Sequence, residues 1–296
     1  MNIEQPINIL VRRRAAIGDV IMTTGVVREL KHRYGPFSNI DVVTEKLGIW
    51  RNNPHIRNMY HVNEPPSVDN YDVYINLDDA YEVNPVNHFI DSMFYRAFGT
   101  TDLDRSTELW PSDEDCGLVD QDIDDNIGDK FIIVHMRNWH YTQKNLTMDV
   151  WLEVFGKLFE QRADFKIVCV GGPTDHVIDH PLFIDRREAY TDQQLKHLSD
   201  RAACFVGVDS GPYWCASASS THIIATLTNV PPTSILPHRN GQLGYNCTAI
   251  TTQEDCAGCY NEQQRPVRTW TCKKMTTPCN NNFDTDAIAT AILKQL

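Results

Sequence analysis

Short apolar runs alternate with longer stretches of helical periodicity along most of the chain, the pattern of a parallel α/β fold. Ile7-Asn8-Ile9-Leu10-Val11 reads as a buried strand, and Val20 to Tyr34 as a helix stopped by Gly35-Pro36. Ile40 to Thr44, Met59 to Val62 and Val73 to Leu77 read as strands, and His88 to Phe98 as a helix closed by Gly99. The alternation resumes with strands at Phe131 to His135, Phe165 to Val170, Ala203 to Gly207 and Ile223 to Leu227. Helices at Asp149 to Gln161, Asp192 to Arg201 and Tyr213 to Ser219 fall between them, and Asp284 to Gln295 closes the chain. From Asp102 to Asp129 the text is acidic and poor in periodicity. Its Asp-x-Asp triplets could hold a divalent cation, but an acidic run between ordered units reads as a solvated link. A boundary at Gly128 divides the chain into residues 1–128 and 129–296.

Two turns carry the chemistry: Ala15-Ala16-Ile17-Gly18-Asp19-Val20 and Val208-Asp209-Ser210-Gly211-Pro212. Each joins an apolar strand to a helix, so each lies at the carboxyl edge of a parallel sheet, where open α/β folds bind ligands. One such turn in each half implies two α/β domains facing across a cleft. Asp19 at the mouth of its turn can act as a general base toward a hydroxyl, or it can cap the helix by accepting backbone N–H groups. Gly18 permits a close backbone approach. Arg12, Arg13 and Arg14 cannot all be core; they either neutralise a phosphate or pair with the chain's own carboxylates. Asp209-Ser210-Gly211 has the build of an anion cradle, with Asp209 orienting the loop or holding a hydroxyl. No dinucleotide fingerprint or Walker sequence follows any strand.

The 296 residues, 42% of them hydrophobic, can bury a substantial core. A net charge of −12 argues against a broad footprint for nucleic acid or anionic membrane. Met1 to Pro6 lacks the basic and apolar regions of a signal peptide and no later stretch would span a bilayer, so a cytoplasmic protein is expected. Cys169, Cys204 and Cys215 fall in apolar segments and read as small hydrophobes. Cys256-x2-Cys259-x12-Cys272-x6-Cys279, inside a Cys-rich insertion at 247–282, suits a structural metal, and ligand type alone favours zinc over iron.

Taken in order, Ile9 to Val20, Asn53-Pro54-His55-Ile56, His135, Lys144, Gly171-Gly172-Pro173 and Val208 to Pro212 resemble glycosyltransferase family 9, the heptosyltransferases and their relatives. The resemblance implies a GT-B architecture of two Rossmann-like domains, the first for the acceptor and the second for a nucleotide-sugar, and inversion without a catalytic metal. It implies that Asp19 takes the acceptor proton, that Lys144 and the amides at Ser210 and Gly211 hold the departing diphosphate, and that Asp175 meets the ribose. Three positions depart from the family's habit. Arg137 stands where small or hydroxyl residues contact phosphate, Trp214 replaces a histidine, and Arg14 replaces an apolar residue. The expected function is sugar transfer from a nucleotide-sugar donor to a glycan hydroxyl. One rival is a phage-type DNA glycosyltransferase acting on a 5-hydroxymethylated pyrimidine, with Arg12, Arg13 and Arg14 at the acceptor. A second is a non-catalytic nucleotide-sugar-binding protein. The oligomeric state is not legible in the sequence.

Overall fold

A computed structural model describes residues 6–83, 87–262, 272 and 274–296. The first half builds a four-stranded parallel sheet from β1 (Asn8–Arg12), β2 (Asn39–Thr44), β3 (Asn58–His61) and β4 (Val73–Asn76), in the order β3-β2-β1-β4. α1 (Ile17–Tyr34) crosses from β1 to β2, and α2 (Phe89–Phe98) follows β4 and ends on Gly99 in the left-handed conformation. Because β1 is central, its carboxyl end opens beside that of β4, and the start of α1 stands there.

After α3 (Asp113–Asp122) the second half forms a six-stranded sheet in the order β12-β9-β8-β5-β6-β7, with every pairing parallel. Its elements in chain order are β5 (Phe131–His135), α4 (Met148–Gln161), β6 (Lys166–Cys169), β7 (Phe183–Asp185), α5 (Asp192–Arg201), β8 (Cys204–Gly207), α6 (Gly211–Ser217) and β9 (His222–Leu227). A short helix α7 (Pro232–Ile235), a hairpin β10 (His238–Arg239) and β11 (Gln242–Leu243), the edge strand β12 (Cys247–Thr251) and α8 (Thr285–Leu293) complete it. The period of two along β5 sets its two faces. Ile132 and Val134 pack with Trp151 and Leu158 of α4 and Ile288 and Ile292 of α8. Phe131 and Ile133 face a second core that continues through Leu195, Tyr213 and Trp214 into Val20, Ile21 and Met22 of α1. That core runs unbroken from one sheet to the other, so the cleft stands on a shared apolar floor.

The acidic stretch is helical rather than a link. Ser112 and Asp115 form a reciprocal capping box, and Val119, Ile123 and Ile127, four apart, are buried. Its acids are partnered by the second half: Asp122 takes Arg186 and Tyr190, and Asp120 takes His197 and Arg201. The preceding strap is tied to α1 by the buried Arg28, which donates to the carbonyls of Asp104 and Ser106 and to Glu108. Cys247 to Thr251, the start of the Cys-rich segment, pair with β9 as the sheet's edge. Among the described residues no helix is long and apolar enough to cross a membrane.

Candidate active site

Asp19 is both a cap and a cleft residue. As the third residue of α1 it accepts from Ala16 N through Oδ2 at 2.7 Å. Its Oδ1 accepts from the Tyr81 hydroxyl at 2.7 Å and lies 3.0 Å from Nη2 of Arg13. The side chain keeps 14% of its surface exposed, toward the cleft. Tyr81 comes from the loop after β4 and stacks on Phe89 with ring centroids 4.0 Å apart, which fixes the phenol that orients the carboxylate. Neither Tyr81 nor Glu82 is signalled by a sequence motif; the adjacency of β4 to β1 is what brings them in.

The three arginines resolve in favour of internal pairing. Arg13 is buried, 3% exposed, and donates to Glu82 at 2.7 Å and to the Leu77 carbonyl at 2.8 Å. Burial works against its charge, but Asp19 and Glu82 outweigh that and hold the guanidinium protonated. Arg12 pairs with Asp78 and Arg14 with Glu45, each through Nε. Of the two readings of Arg12, Arg13 and Arg14, pairing with the chain's own carboxylates is the one the structure shows, and all three also line a cavity. Gly18 does admit a close approach. A Cβ there would stand 2.3 Å from Cδ1 of Trp214, so the close neighbour that Gly18 admits is an indole from the other half.

On the second sheet His135 ends β5 and bridges two turns. Its Nδ1 is 2.9 Å from the Ser210 hydroxyl and its Nε2 is 2.9 Å from Oδ2 of Asp175. Asp175 also accepts from Gly172 N and Asn138 N, both at 2.7 Å. Burial would raise its carboxyl, but His135 and these amides prevail and hold it below the usual carboxylate range. Both oxygens of Asp175 thus have partners in the protein, Oδ2 two of them and Oδ1 one. Gly171 makes the arrangement possible: its φ is +134°, and a Cβ would stand 2.2 Å from Oδ2 of Asp175.

Lys144 pairs with Asp209, whose other oxygen accepts from Nε1 of Trp214 at 3.0 Å. The Ser210 hydroxyl caps α6, and a Cβ on Gly211 would meet Cγ2 of Ile17 at 3.3 Å. The starts of α1 and α6 are thus in contact across the halves. Arg137 has no carboxylate within 4.0 Å among the described residues; it donates to the Tyr141 carbonyl at 2.9 Å and to Asn145. Burial lowers its pKa, and the more distant charges of Asp209 and Asp175 only partly restore it. A half-buried guanidinium without a counter-charge is a place for an anion.

Two cavities meet at Asp19. The first, of about 590 Å³, runs from Asp19 and Gly18 past Lys144, Arg137, His135, Ser210 and Gly211 to Gly171, Tyr190 and Leu195. The second, of about 710 Å³, is lined by Arg12 to Arg14, Glu45, Asp78, Glu82, Tyr141 and Tyr260. Asp19, Tyr81, Arg137 and Lys144 border both.

Cys256, Cys259, Cys272 and Cys279 gather on the loop after β12. The buried Cys279 thiol is pushed up to about 12 by burial and then by the charges of Cys272, Cys256 and Cys259. The ring is looser than a closed tetrahedral site: among the described residues, the trios with ligand atoms within 4.8 Å of one another are His88, Asp91, His238 and Glu254, Asp255, Cys256. The loop is not remote from the cleft. Gly258 N and Tyr260 N donate to the carbonyls of Thr228 and Asn229 beyond β9, and Tyr260 lines the second cavity.

Two parallel sheets facing across a cleft, with a strand-to-helix turn of each half on its floor, make the GT-B fold of glycosyltransferases. The chain is similar over its whole length to a glycosyl transferase family 9 structure from Veillonella parvula, at 17% identity and a TM-score of 0.73, covering 98% of that chain. It is also similar to the iron-containing dodecameric glycosyltransferase TibC from enterotoxigenic E. coli, at 13% identity and a TM-score of 0.67, covering 100% of this chain and 77% of that one. The E. coli heptosyltransferase WaaC with ADP matches at 11% identity and a TM-score of 0.58, over 98% of this chain and 100% of that one. No protein-family model matches the sequence. No curated protein sequence matches it.

Proposed function

We propose that the protein is a glycosyltransferase of family 9 type that moves a sugar, with inversion, from a nucleoside-diphosphate donor to a hydroxyl of a glycan. The observation that carries this reading is the position of Asp19, held by Arg13 and Tyr81 where the two cavities meet. In this reading the first cavity takes the donor, mainly from residues 129–296, and the second takes the acceptor, mainly from residues 1–128. The acceptor oxygen bonds to the anomeric carbon while the bond from that carbon to the diphosphate breaks. Asp19 accepts the hydroxyl proton and the diphosphate leaves with the electron pair. Arg137, Lys144 and the backbone at Ser210 and Gly211 stabilise the charge that develops there. No step needs a metal. TibC is described in complex with ADP-D-beta-D-heptose and WaaC with ADP, which makes an adenosine-diphosphate sugar the first donor to try.

Lys144→Ala is expected to weaken nucleoside-diphosphate binding by about 10- to 100-fold, because it removes a charge-assisted contact and leaves Asp209 facing the phosphates. Lys144→Ala/Asp209→Asn should recover part of that loss, while Lys130→Ala, whose exposed lysine pairs with Asp164, should change nothing. Calorimetric titration with ADP and UDP checks this; equal affinities for the Lys144 and Lys130 variants would remove Lys144 from the site.

Pairing within the second cavity favours a glycan over duplex DNA. Arg12, Arg13 and Arg14 spend their charge on Asp78, Glu82, Asp19 and Glu45, so little net charge is left to displace counterions from a phosphate backbone. The wild-type protein should leave 5-hydroxymethylated duplex DNA unmodified with every donor tried. Transfer to that DNA, weakened by Arg12→Ala/Arg14→Ala with a shallower salt dependence, would overturn the glycan reading.

The four cysteines fit a structural metal, zinc or iron. The Cys279 thiol, pushed up by burial and by its three cysteine neighbours, is relieved by a divalent cation, which binds thiols deprotonated and draws them together. The metal would staple the loop that carries Tyr260 into the cleft. Elemental analysis of protein purified without chelator should find about one zinc or iron per chain, and Cys256→Ser/Cys259→Ser should lose it and melt several degrees lower. Absence of stoichiometric metal from well-folded protein would sink the assignment.

A further inference from the structure

Most charged groups around the donor cavity already have an opposite partner: Asp19 has Arg13, Lys144 has Asp209, and Arg186 has Asp122. Among the described residues, three half-buried ones have none within 4.0 Å: Arg137, Lys46 and Asp192. The diphosphate accounts for Arg137. Lys46 and Asp192 take no part in the transfer step itself.

Asp192 is the first residue of α5 but not its cap. Thr191 caps that helix in a reciprocal box with Gln194, so the Asp192 carboxylate is not spent on helix termination. Among the described residues its one side-chain hydrogen-bond partner is the Cys215 sulfur at 3.7 Å, a weak donor. Burial pushes its pKa up, and Cys215 and the ammonium of Lys46 oppose the rise. A half-buried carboxylate with a single thiol partner is short of hydrogen bonds, and inside a cavity a ligand completes them. Lys46 arrives from the opposite half, on the turn after β2. The two sides are locked here: the Gln193 amide donates to the carbonyls of Gly48, Ile49 and Arg51. The backbones that carry the carboxylate and the ammonium are therefore held together without a ligand, and binding has only the side chains to order.

The donor's own length says which part of it reaches them. Its anomeric carbon must lie near Asp19 and its diphosphate near Arg137 and Lys144. Beyond these the cavity continues over Gly171, whose carbonyl accepts from Glu188 N at 2.9 Å, to Tyr190 and Leu195. Tyr190 and Leu195 line the cavity together with Asp192 and offer an aromatic and an aliphatic side chain, a surface that suits a base.

We propose that Asp192 and Lys46 read the nucleobase of the donor, Asp192 accepting an N–H from the base edge and Lys46 donating to the ring nitrogen or carbonyl beside it. The inference rests on the donor-site reading above. It makes Asp192 and Lys46 the residues that convert a general diphosphate cradle into one with a base preference.

Inorganic pyrophosphate, ADP, GDP, CDP and UDP titrated calorimetrically into the wild type, Asp192→Leu and Lys46→Met test it. The wild type should bind its best nucleoside diphosphate well above pyrophosphate. Asp192→Leu should cost that ligand about tenfold or more, level the differences among bases and leave pyrophosphate unchanged, the loss expected for one hydrogen bond to a charged group. Lys46→Met should act in the same direction. If the leucine variant does not fold, as judged by its unliganded melting curve, Asp192→Asn carries the test with a smaller expected loss. An equal loss for pyrophosphate would overturn the proposal, since the effect would then be one of charge on the whole cavity. Unchanged nucleoside-diphosphate affinities in both Asp192 and Lys46 variants would overturn it as well. A wild type that binds neither pyrophosphate nor any nucleoside diphosphate would sink the donor site itself, an outcome distinct from either.

Discussion

Asp19→Asn is expected to lower kcat about a thousandfold, within the range for loss of a positioned general base, while the affinity for a nucleoside diphosphate stays within about twofold. The asymmetry follows from geometry. Asp19 stands where the two cavities meet, and the candidate phosphate contacts, Arg137 and Lys144, do not depend on it for their own partners. The fold should tolerate the change. An asparagine oxygen can still accept from Ala16 N, and Arg13 keeps Glu82 and the Leu77 carbonyl, so the cost, that of one hydrogen bond to a charged group, should be about 1.5 to 3 kcal/mol. Steady-state kinetics, calorimetric binding and a melting curve on one preparation check all three parts. Turnover within tenfold of wild type would remove the base from Asp19.

Gly171→Ala, a change of a single methyl group, should severely damage the fold. At φ +134° an alanine is strained wherever its side chain points. Its Cβ also enters a space held by Oδ2 of Asp175 at 2.2 Å and Cδ2 of His135 at 2.7 Å. Neither neighbour can swing away cheaply, because Oδ2 binds His135 and Gly172 N, and His135 in turn binds Ser210. Strain, overpacking and broken buried hydrogen bonds together come to about 3 kcal/mol or more. Nucleoside-diphosphate affinity should fall about a hundredfold, since the turn at Ser210 loses its brace. Gly172→Ala is the control. It meets nothing nearer than 3.8 Å and has no positive φ, so it should melt within a few degrees of wild type. Similar melting temperatures for the two variants would show that the brace is not rigid.

Strands β1 to β6, β8 and β9 and most helices are legible in the sequence because their signals are local, whereas β7, the hairpin β10–β11 and the half-exposed edge strand β12 carry no apolar run to announce them. β1, β5 and β8 carry apolar runs of three or four residues, and α1 and α2 end on glycines. α3 escapes notice for an equally local reason: its buried stripe is Val119, Ile123 and Ile127 alone, and the aspartates around it mask the period. The two key turns are legible as strand-to-helix junctions. What surrounds them is not, because a partner in a parallel sheet is distant in sequence. Arg13 finds Glu82 and Arg12 finds Asp78 across the β1–β4 pairing, and nothing near residue 13 announces it. Trp214 is visible as a departure, but that Gly18 exists to receive it depends on how α1 and α6 meet. Asp192 is hidden by its address, since an acid at a helix start reads as a cap until Thr191 is seen to hold that post.

The contact of Trp214 on Gly18, reinforced by Ile17 against Gly211, also limits how the protein can breathe. Any opening of the cleft that keeps this contact and the Gln193 bonds to Gly48, Ile49 and Arg51 must swing about the line through both, as about the pin of a pair of tongs. The rims then part while Asp19 and the Asp209-Ser210 turn, close to the pin, hardly change their separation. Under the proposed function, donor and acceptor would enter and leave through the moving rims, yet each would arrive at a reaction centre whose spacing is the same open or closed.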